Sequence, residues 1–379
     1  MLGVQTRSMG AWLIVLPMLA TSLVAFPRGR DRLRATRPLT RSGIPPVGHL
    51  YHSVYPGGVT GEEDDITLAG LRSYERTVGK KAAWVYFSHN WYKSTAFPRQ
   101  TAGWIRAAGA APFIRLVIRD REGSAVSKFT VEAILAGELD ASLKAWAIAA
   151  KRFATPLIVE YGTECNGYWF PWNGRYHGGG QTDGFGDPTK PDGPERFAAA
   201  YRHIITLMRS EGARNITWVF HVAAQDDPEE TWNRWENYYP GDDVVDWIGV
   251  SVYGPQQPAD TEAKSFRQQM DPFYARLDGL NKGKPVIVAE FGCTAGSLVA
   301  QPDKWAAAAL EDILSRRWSR VIGFSWWNER WENDDNPSHD TTMRVQDIPA
   351  LAAVFRDKLS AHQDRVLERV VPPELYATQ

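Results

Sequence analysis

The sequence predicts an α/β protein with a single (β/α)8 barrel, and three observations indicate it. Short apolar runs alternate with longer amphipathic ones from about Gly43 onward, and eight such pairs fill the chain. Runs such as Leu157–Val159 lack polar alternation, as strands buried on both faces should. Roughly 320 residues suit one barrel. A doubly wound sheet is the alternative, but Tyr55–Gly58 stands where that fold carries its glycine-rich phosphate turn.

Eight segments are predicted as the strands of this barrel because each is a short apolar run. They are His49–Tyr55, Ala83–Ser88, Pro112–Ile118, Pro156–Tyr161, Ile216–His221, Trp247–Tyr253, Pro285–Phe291 and Val321–Trp327.

Helical periodicity is clearest between the fourth and fifth strands. Apolar residues recur there at helical spacing, at Phe197, Tyr201, Ile204, Ile205 and Met208. This helix begins near Asp192 with a proline in its first turn and ends at Gly212. A second helix is predicted from Val131 to Ala147, with Leu135, Leu139 and Leu143 on the same face.

The N-terminal region is predicted to lie outside the barrel. Residues 1–26 contain an apolar stretch, Ala11–Phe26, which is short for a bilayer-spanning helix and suits a signal peptide or a membrane anchor. Residues 27–42 are rich in arginine and read as a flexible basic linker. Residues 43–379 are then expected to form the barrel, which would hold any functional site, and a C-terminal tail.

Composition excludes several classes of protein. Among 379 residues, 43 Lys and Arg nearly balance 44 Asp and Glu, so no strong field attracts nucleic acid or anionic lipid. Two cysteines rule out a disulfide scaffold and a cysteine-rich zinc site, and no HExxH or EF-hand pattern occurs. We therefore expect neither metal nor cofactor. The excess of aromatic residues, 16 of them Trp, provides flat apolar faces on which sugar rings stack.

The loop after the fourth strand, Gly162–Gly193, is the longest and richest in aromatic residues. Loops at the carboxyl ends of barrel strands carry the chemistry of this fold. Glu164 lies in this loop, and Glu290 lies at the end of the seventh strand, nearly opposite. Two carboxyls about 5–5.5 Å apart are what a retaining glycosidase needs. We expect Tyr253 and backbone donors to keep Glu290 ionised, and desolvation by loop aromatics to keep Glu164 protonated.

Glu160 is a rival acid on the fourth strand. Arg115 lies at a comparable height on the third strand, so a buried Arg115–Glu160 ion pair is the alternative that we favour. Two histidines, His89 and His221, end the second and fifth strands, and both are candidates for hydrogen bonding to substrate, with plain packing equally open. The two cysteines, Cys165 and Cys293, are expected to be free thiols.

The segment Gly162–Trp172, with the sequence GTECNGYWFPW, resembles the acid/base motif of glycoside hydrolase family 26. The similarity continues in order through most of the chain after residue 45. The other matching segments are Phe197–Ile205, Asn215–Phe220, Val245–Tyr253, Val286–Gly292 and Ile322–Trp327. Members of this family are retaining endo-β-glycanases with a barrel fold, mostly β-mannanases, with some mixed-linkage β-glucanases and β-1,3-xylanases.

The resemblance implies roles for individual residues. Glu164 would be the acid/base and Glu290 the nucleophile, oriented by Tyr253. Trp327 would form the floor of the sugar subsite beside the cleaved bond. The loop residues Trp169 and Trp172 would line the cleft nearby.

Two departures from the family pattern lie beside the predicted acid. Thr163 replaces a histidine that helps to bind the reacting sugar, and Cys165 replaces a methionine. Losing that histidine removes a ring and a donor from the subsite that tells mannose from glucose.

These observations predict a retaining endo-β-glycanase that acts on a polysaccharide, with β-1,4-mannan as the favoured substrate. Mixed-linkage β-glucan, β-1,3-xylan and a bacterial exopolysaccharide remain alternatives, as does a barrel that binds glycan without cleaving it. We expect a secreted or periplasmic monomer, with membrane attachment only if the N-terminal segment is uncleaved.

Overall fold

The computed structural model describes residues 41–61, 63–121, 128–280 and 283–370. The described residues belong to one compact unit that spans Leu39–Gln379. The predicted leader (1–26), most of the predicted linker and the end of the predicted tail lie outside the described residues. Within the described part of the chain, no helix is both long and apolar enough to cross a membrane.

Eight parallel strands form a closed ring because the last strand pairs with the first. The strands are β1 Leu50–Tyr55, β2 Trp84–Asn90, β3 Ala111–Val117, β4 Leu157–Tyr161, β5 Ile216–Ala223, β6 Trp247–Tyr253, β7 Val286–Gly292 and β8 Val321–Trp327. Short strands follow, at β9 Arg330–Trp331, β10 Thr341–Thr342 and β11 Val366–Leu367. The predicted (β/α)8 barrel is confirmed, and each predicted strand overlaps one strand of the ring.

Eight α-helices of the described chain surround this ring. They are α1 Leu68–Val78, α2 Arg99–Ala108, α3 Val131–Leu135, α4 Asp140–Phe153, α5 Asp192–Ser210, α6 Phe266–Leu280, α7 Pro302–Leu314 and α8 Pro349–Ala361. The predicted helix Asp192–Gly212 corresponds to α5. The predicted Val131–Ala147 helix is wrong in one respect, since it divides into α3 and α4. Gly137 lies between them in the left-handed region, with φ of +76°, and ends the first helix.

Large aromatic side chains fill the amino-terminal end of the barrel. Trp84 of β2 and Trp247 of β6 meet across the interior with ring centroids 6.2 Å apart, and Tyr51 of β1 lies 5.7 Å from Trp84. Gly323 of β8 makes room for this cluster, because an added Cβ there would lie 2.4 Å from the Trp84 ring. This end is therefore a packed core, and the open end of the barrel lies at the carboxyl ends of the strands.

The last residues of the predicted flexible linker are held against the barrel. Arg41 forms an ion pair with Asp246 at 2.6 Å, and the backbone N–H of Ser42 donates to the hydroxyl of Thr217 at 2.9 Å. Tyr51 donates its hydroxyl to the carbonyl of Gly43. Arg41 and Ser42, the last residues of the predicted linker, are therefore bound to side chains of the barrel.

Candidate active site

A large cavity opens at the carboxyl ends of the strands, with a volume of about 1460 Å³. Five of the eight predicted site residues line it. They are Glu164, Trp169, Tyr253, Glu290 and Trp327. They come from the loop after β4 and from the ends of β6, β7 and β8, which the closed ring brings to one mouth. Both predicted catalytic carboxylates therefore face the same space.

Glu290 projects from β7 into a buried group of hydrogen-bond donors. Tyr253 donates its hydroxyl to one carboxylate oxygen at 2.8 Å. The other oxygen receives the guanidinium of Arg115 in a close ion pair and lies 3.1 Å from the hydroxyl of Tyr86. A carboxylate with charged and hydroxyl donors on both oxygens has one orientation fixed by the protein. The predicted contact with Tyr253 is present, while the predicted backbone donors are replaced by side chains of β2 and β3.

The electrostatics of Glu290 differ from the prediction. Burial raises its pKa from 4.5 to about 7, with the charges of Glu164 and Glu160 acting in the same direction and those of Arg115 and His221 opposing it. The prediction considered the donors and left out the loss of water and the neighbouring carboxylates. The expectation that desolvation among loop aromatics keeps Glu164 protonated stays a prediction.

Glu164 lies in the turn that follows β4, and its backbone φ is +48°. The N–H of Gly167 donates to the Glu164 carbonyl at 2.7 Å, which closes the turn. Trp169 folds back over Gly167, where any Cβ would lie 2.3 Å from its ring, and its indole N–H donates to the Glu164 carboxylate at 2.7 Å. The glycine therefore lets the tryptophan hold the carboxylate at the cavity wall.

Trp327 forms part of the cavity floor. Its ring stacks on Tyr55 with centroids 4.1 Å apart, and the guanidinium of Arg115 lies 5.2 Å from it. Glu329, two residues beyond, fixes Tyr55 by accepting its hydroxyl in a short hydrogen bond, and also accepts the N–H of Gly58 at 3.2 Å. The strands β8 and β1 thus support an aromatic surface beside Glu290 on which a sugar ring can stack.

The prediction that Trp172 lines the cleft is wrong. Trp172 is only 2% exposed, stacks on Phe170 with centroids 4.6 Å apart, and donates its indole N–H to the carbonyl of Thr163 at 2.8 Å. Trp169, by contrast, is 46% exposed. The loop therefore uses one tryptophan as its internal core and presents the other to the cavity.

Neither histidine lines the cavity, so the substrate-binding alternative is wrong for both. Along β2, Ser88 points inward to Glu63, so the next residue, His89, faces the surrounding helices. His221 does point into the barrel, but it is fully buried below the cavity. Its two nitrogens bond to Glu160 and to the hydroxyl of Ser251, each at 2.8 Å.

The predicted Arg115–Glu160 ion pair is confirmed, with Arg115 Nε 3.3 Å from the Glu160 carboxylate. The two residues face each other across the β3–β4 pairing. Tyr86 and Thr163 also donate their hydroxyls to Glu160. Burial raises the pKa of Glu160, but the charge and hydrogen bond of His221, the charge of Arg115 and the hydroxyl of Thr163 outweigh it and lower the pKa to about 2. Glu160 is fully buried and does not line the cavity, so it is a structural anion and not a rival acid.

Tyr86 links the two buried carboxylates. Its hydroxyl accepts from Arg115 Nε at 3.0 Å and lies within hydrogen-bonding distance of both Glu160 and Glu290. A hydroxyl has one proton to donate, so only one carboxylate receives it at a time. The two carboxylates therefore compete for a shared donor.

Three residues of the site escaped sequence reasoning. Glu63 and Glu329 line the cavity, and Tyr86 contacts Glu290 below it. The sequence could have indicated Tyr86, because it lies on a strand two residues before Ser88 and therefore points inward as Ser88 does. Glu63 and Glu329 lie in loops, where strand periodicity carries no information.

One cluster has the donor atoms that a metal site would need. Single ligand atoms of Glu160, His221 and Glu290 lie within 4.8 Å of one another. The guanidinium of Arg115 already contacts both carboxylates, and His221 uses both nitrogens within the protein. The cluster therefore fits an internal ion-pair network, in which the arginine supplies the positive charge. The free thiols predicted for Cys165 and Cys293 are confirmed, and both are buried.

The chain is similar in sequence to proteins of known family. Residues 126–301 match the model of glycosyl hydrolase family 26. Endoglucanase H of Acetivibrio thermocellus is 26% identical over 295 residues, which cover 77% of this chain and 29% of that protein. Beta-1,3-xylanase TXYA of a Vibrio species is 28% identical over 127 residues, covering 33% of this chain and 23% of that protein. The chain thus spans less than a third of the length of these two relatives.

The fold has its counterpart among solved structures. The mannanase man26 of Bacillus subtilis superposes with a TM-score of 0.54 at 16% sequence identity, covering 86% of this chain and 88% of the mannanase. At this identity the likeness concerns the fold.

Proposed function

We propose that the chain is a retaining endo-β-glycanase of glycoside hydrolase family 26, whose model matches residues 126–301. The observation that carries the proposal is that Glu164 and Glu290 line one cavity, with Glu290 fixed by Tyr253 and Arg115. The aromatic surfaces of Trp169 and Trp327 in the same cavity provide stacking faces for sugar rings.

The proposed reaction is a double displacement. The Glu290 carboxylate attacks the anomeric carbon while Glu164 transfers its proton to the departing glycosidic oxygen, so the C–O bond of the substrate breaks as a glycosyl ester forms. Glu164, now a carboxylate, then takes a proton from water, whose oxygen attacks the anomeric carbon and releases Glu290. Two inversions leave the configuration retained. Before attack and after release, Arg115 balances the charge of Glu290 and Tyr253 donates a hydrogen bond to it.

Charge narrows the proposed substrate to a neutral polymer. The arginines that line the cavity are already paired, Arg115 with Glu290, Arg330 with Asp340 at 3.2 Å, and Arg344 with Asp347 at 3.4 Å. Carboxylates that line the same cavity, such as Glu229 and Glu332, add negative charge. A polymer of uronic acids would be repelled by this negative lining, whereas the hydroxyls of a neutral glycan can donate to it.

We propose two neutral polysaccharides as the preferred substrates. β-1,4-Mannan is the first, in keeping with the family pattern. β-Glucan is the second, and two observations favour it: the relative named Endoglucanase H, and Thr163 in place of the family histidine. The hydroxyl of Thr163 is buried and donates to Glu160, so it offers nothing to a sugar. β-1,3-Xylan and a neutral exopolysaccharide complete the set.

The test is the release of reducing ends from a panel of these polysaccharides. We expect the wild type to cleave at least one neutral β-glycan and Glu290→Ala to lose about 10⁴-fold or more in rate. Glu211→Ala, at the far end of α5, is the control and should match the wild type. Binding without release by the wild type would favour a non-catalytic glycan-binding barrel. Release that persists in Glu290→Ala would show that another residue is the nucleophile.

We further propose that the protein is a secreted or periplasmic monomer. The apolar segment Ala11–Phe26 supports export, and a polymeric substrate lies outside the cell. N-terminal sequencing of the protein from the culture medium or periplasm would locate a cleavage site, and light scattering would give the mass. Recovery in the membrane fraction with an intact N-terminus would instead favour an uncleaved anchor.

A further inference from the structure

Glu63 adopts a backbone conformation that costs free energy, and it lies at the cavity. Four described non-glycine residues have positive φ, and two of these, Glu63 with φ of +59° and Glu164, line the cavity. A left-handed backbone at a non-glycine residue is strained, so surrounding contacts must hold it. Glu164 is the proposed acid/base, so its strained backbone belongs to a residue with a role in the proposed mechanism. The role of Glu63 has to be inferred from its contacts.

The contacts of Glu63 fix it from both its backbone and its side chain. Its carbonyl accepts the N–H of Ser88 at 3.0 Å, and its carboxylate accepts the hydroxyl of the same serine at 2.6 Å. The same carboxylate oxygen accepts Arg115 Nη1 at 2.7 Å. The side chain is 30% exposed, on the cavity side. The loop after β1 is thus built to place a carboxylate on the outer edge of Arg115.

Arg115 consequently faces three carboxylates with one positive charge. Nη1 contacts Glu63, Nε contacts Glu160, and Nη2 contacts Glu290. The guanidinium is buried, so water screens these interactions little. Because one guanidinium charge attracts three carboxylates, each carboxylate reduces the net attraction that Arg115 exerts on the other two. The position and effective charge of Arg115 at Glu290 therefore depend on Glu63.

We propose that Glu63 is a positioning residue of the active site, which anchors Arg115 from the cavity side and limits how strongly its charge binds Glu290. The proposal rests on the proposed function, in which Glu290 is the nucleophile. A nucleophile held too tightly by a guanidinium is stabilised in its ground state and attacks more slowly. Glu63 holds the guanidinium of Arg115 in the position from which it orients Glu290. The negative charge of Glu63 offsets part of the positive charge of the guanidinium.

Other charged and titratable groups also face Glu290, from each element packed around it. They are Tyr86 on β2, Arg115 on β3, Glu160 on β4, Glu164 in the following loop, His221 on β5 and Tyr253 on β6. All of these residues are retained when Glu63 is replaced, so a shift in the titration of Glu290 reports on the loss of the Glu63 charge beside Arg115.

The test compares Glu63→Gln with the wild type. The amide oxygen can still accept from Arg115 and Ser88, so the geometry is kept while the charge is removed. We expect the acid limb of kcat/KM to move to lower pH by about half a unit or more, with kcat reduced. Glu63→Asp keeps the charge and should retain a limb closer to that of the wild type. Asp64→Asn is the matched control, because Asp64 pairs with Lys93 and does not line the cavity.

A second readout does not need activity. ¹³C NMR of protein labelled at the glutamate carboxyl carbons, with Glu290 assigned from Glu290→Gln, gives the pKa of Glu290 directly, and we expect the same downward shift in Glu63→Gln. An unchanged titration in folded Glu63→Gln overturns the proposal, as does a higher KM with unchanged kcat and limb, which would make Glu63 a substrate contact. A wild type that cleaves no polysaccharide contradicts the proposed function alone, since the titration can still be measured.

Discussion

The indole N–H of Trp169 donates to the carboxylate of Glu164 at 2.7 Å, while the ring of Trp169 is half exposed in the cavity. One side chain thus both contacts the proposed acid and presents an aromatic face to the cavity. The two tasks can be separated, because phenylalanine keeps an aromatic face and lacks the donor.

We expect Trp169→Phe to lower kcat by about 10-fold with little change in KM, because the acid loses the hydrogen bond that orients it. Trp169→Ala should raise KM as well, since the stacking face is also lost. Steady-state kinetics on the best polysaccharide of the panel measures both. Equal loss of kcat in the two variants, with KM unchanged in both, would mean that the ring face does not bind sugar.

The raised pKa of Glu290 predicts the acid limb of the pH profile. The nucleophile must be ionised, and burial raises its pKa to about 7, so kcat/KM should fall as the pH drops through 7, by about 10-fold per unit. The measurement is kcat/KM from pH 4 to 9, with melting temperature followed in parallel to exclude unfolding. A profile that is flat down to pH 5 would show that substrate-free Glu290 ionises well below 7.

Glu160 predicts a stability effect with its own pH dependence. Glu160→Gln removes the buried negative charge that pairs with Arg115 and His221. We expect the free energy of unfolding to fall by about 3 kcal/mol or more at neutral pH. In the folded protein, the pKa of Glu160 is lowered from 4.5 to about 2. Its charge therefore stabilises the fold fully above about pH 4.5, and this contribution is lost as the pH falls towards 2.

Thermal melting from pH 3 to 7 tests this account of Glu160. The difference in melting temperature between wild type and variant should shrink as the pH drops below about 4. Glu211→Gln, a surface change of the same kind, should show no such trend. A Glu160→Gln protein with wild-type melting but no activity would instead assign Glu160 to the chemistry.

His89 provides a prediction of no effect on catalysis. Because it faces the helix layer, His89→Ala should leave KM and kcat within about two-fold of the wild type, although it can lower the melting temperature. Kinetics on the same polysaccharide, restricted to temperatures at which the variant is folded, measures this. A large rise in KM at unchanged melting temperature would place His89 at the substrate after all.

Strand order and the two catalytic candidates were predictable because buried parallel strands are continuous apolar runs, and the end of such a run marks the mouth of the barrel. Glu290 ends one of these runs, and Glu164 follows another within a recognisable motif. The error with His89 came from counting strand ends without counting side-chain parity, since alternate residues of a strand face opposite sides. The error with Trp172 came from a loop that has its own core, which periodicity does not reveal.

The sequence by itself determined the barrel, the family resemblance and the pairing of Arg115 with Glu160, because each follows from local pattern or strand register. The tertiary structure alone decided which side chains share the guanidinium of Arg115. Glu63, Glu160 and Glu290 are far apart in the chain, and only closure of the ring brings their charges together. Since the loss of water and the sum of nearby charges set a buried pKa, the ionisation of Glu290 is a property of the folded barrel.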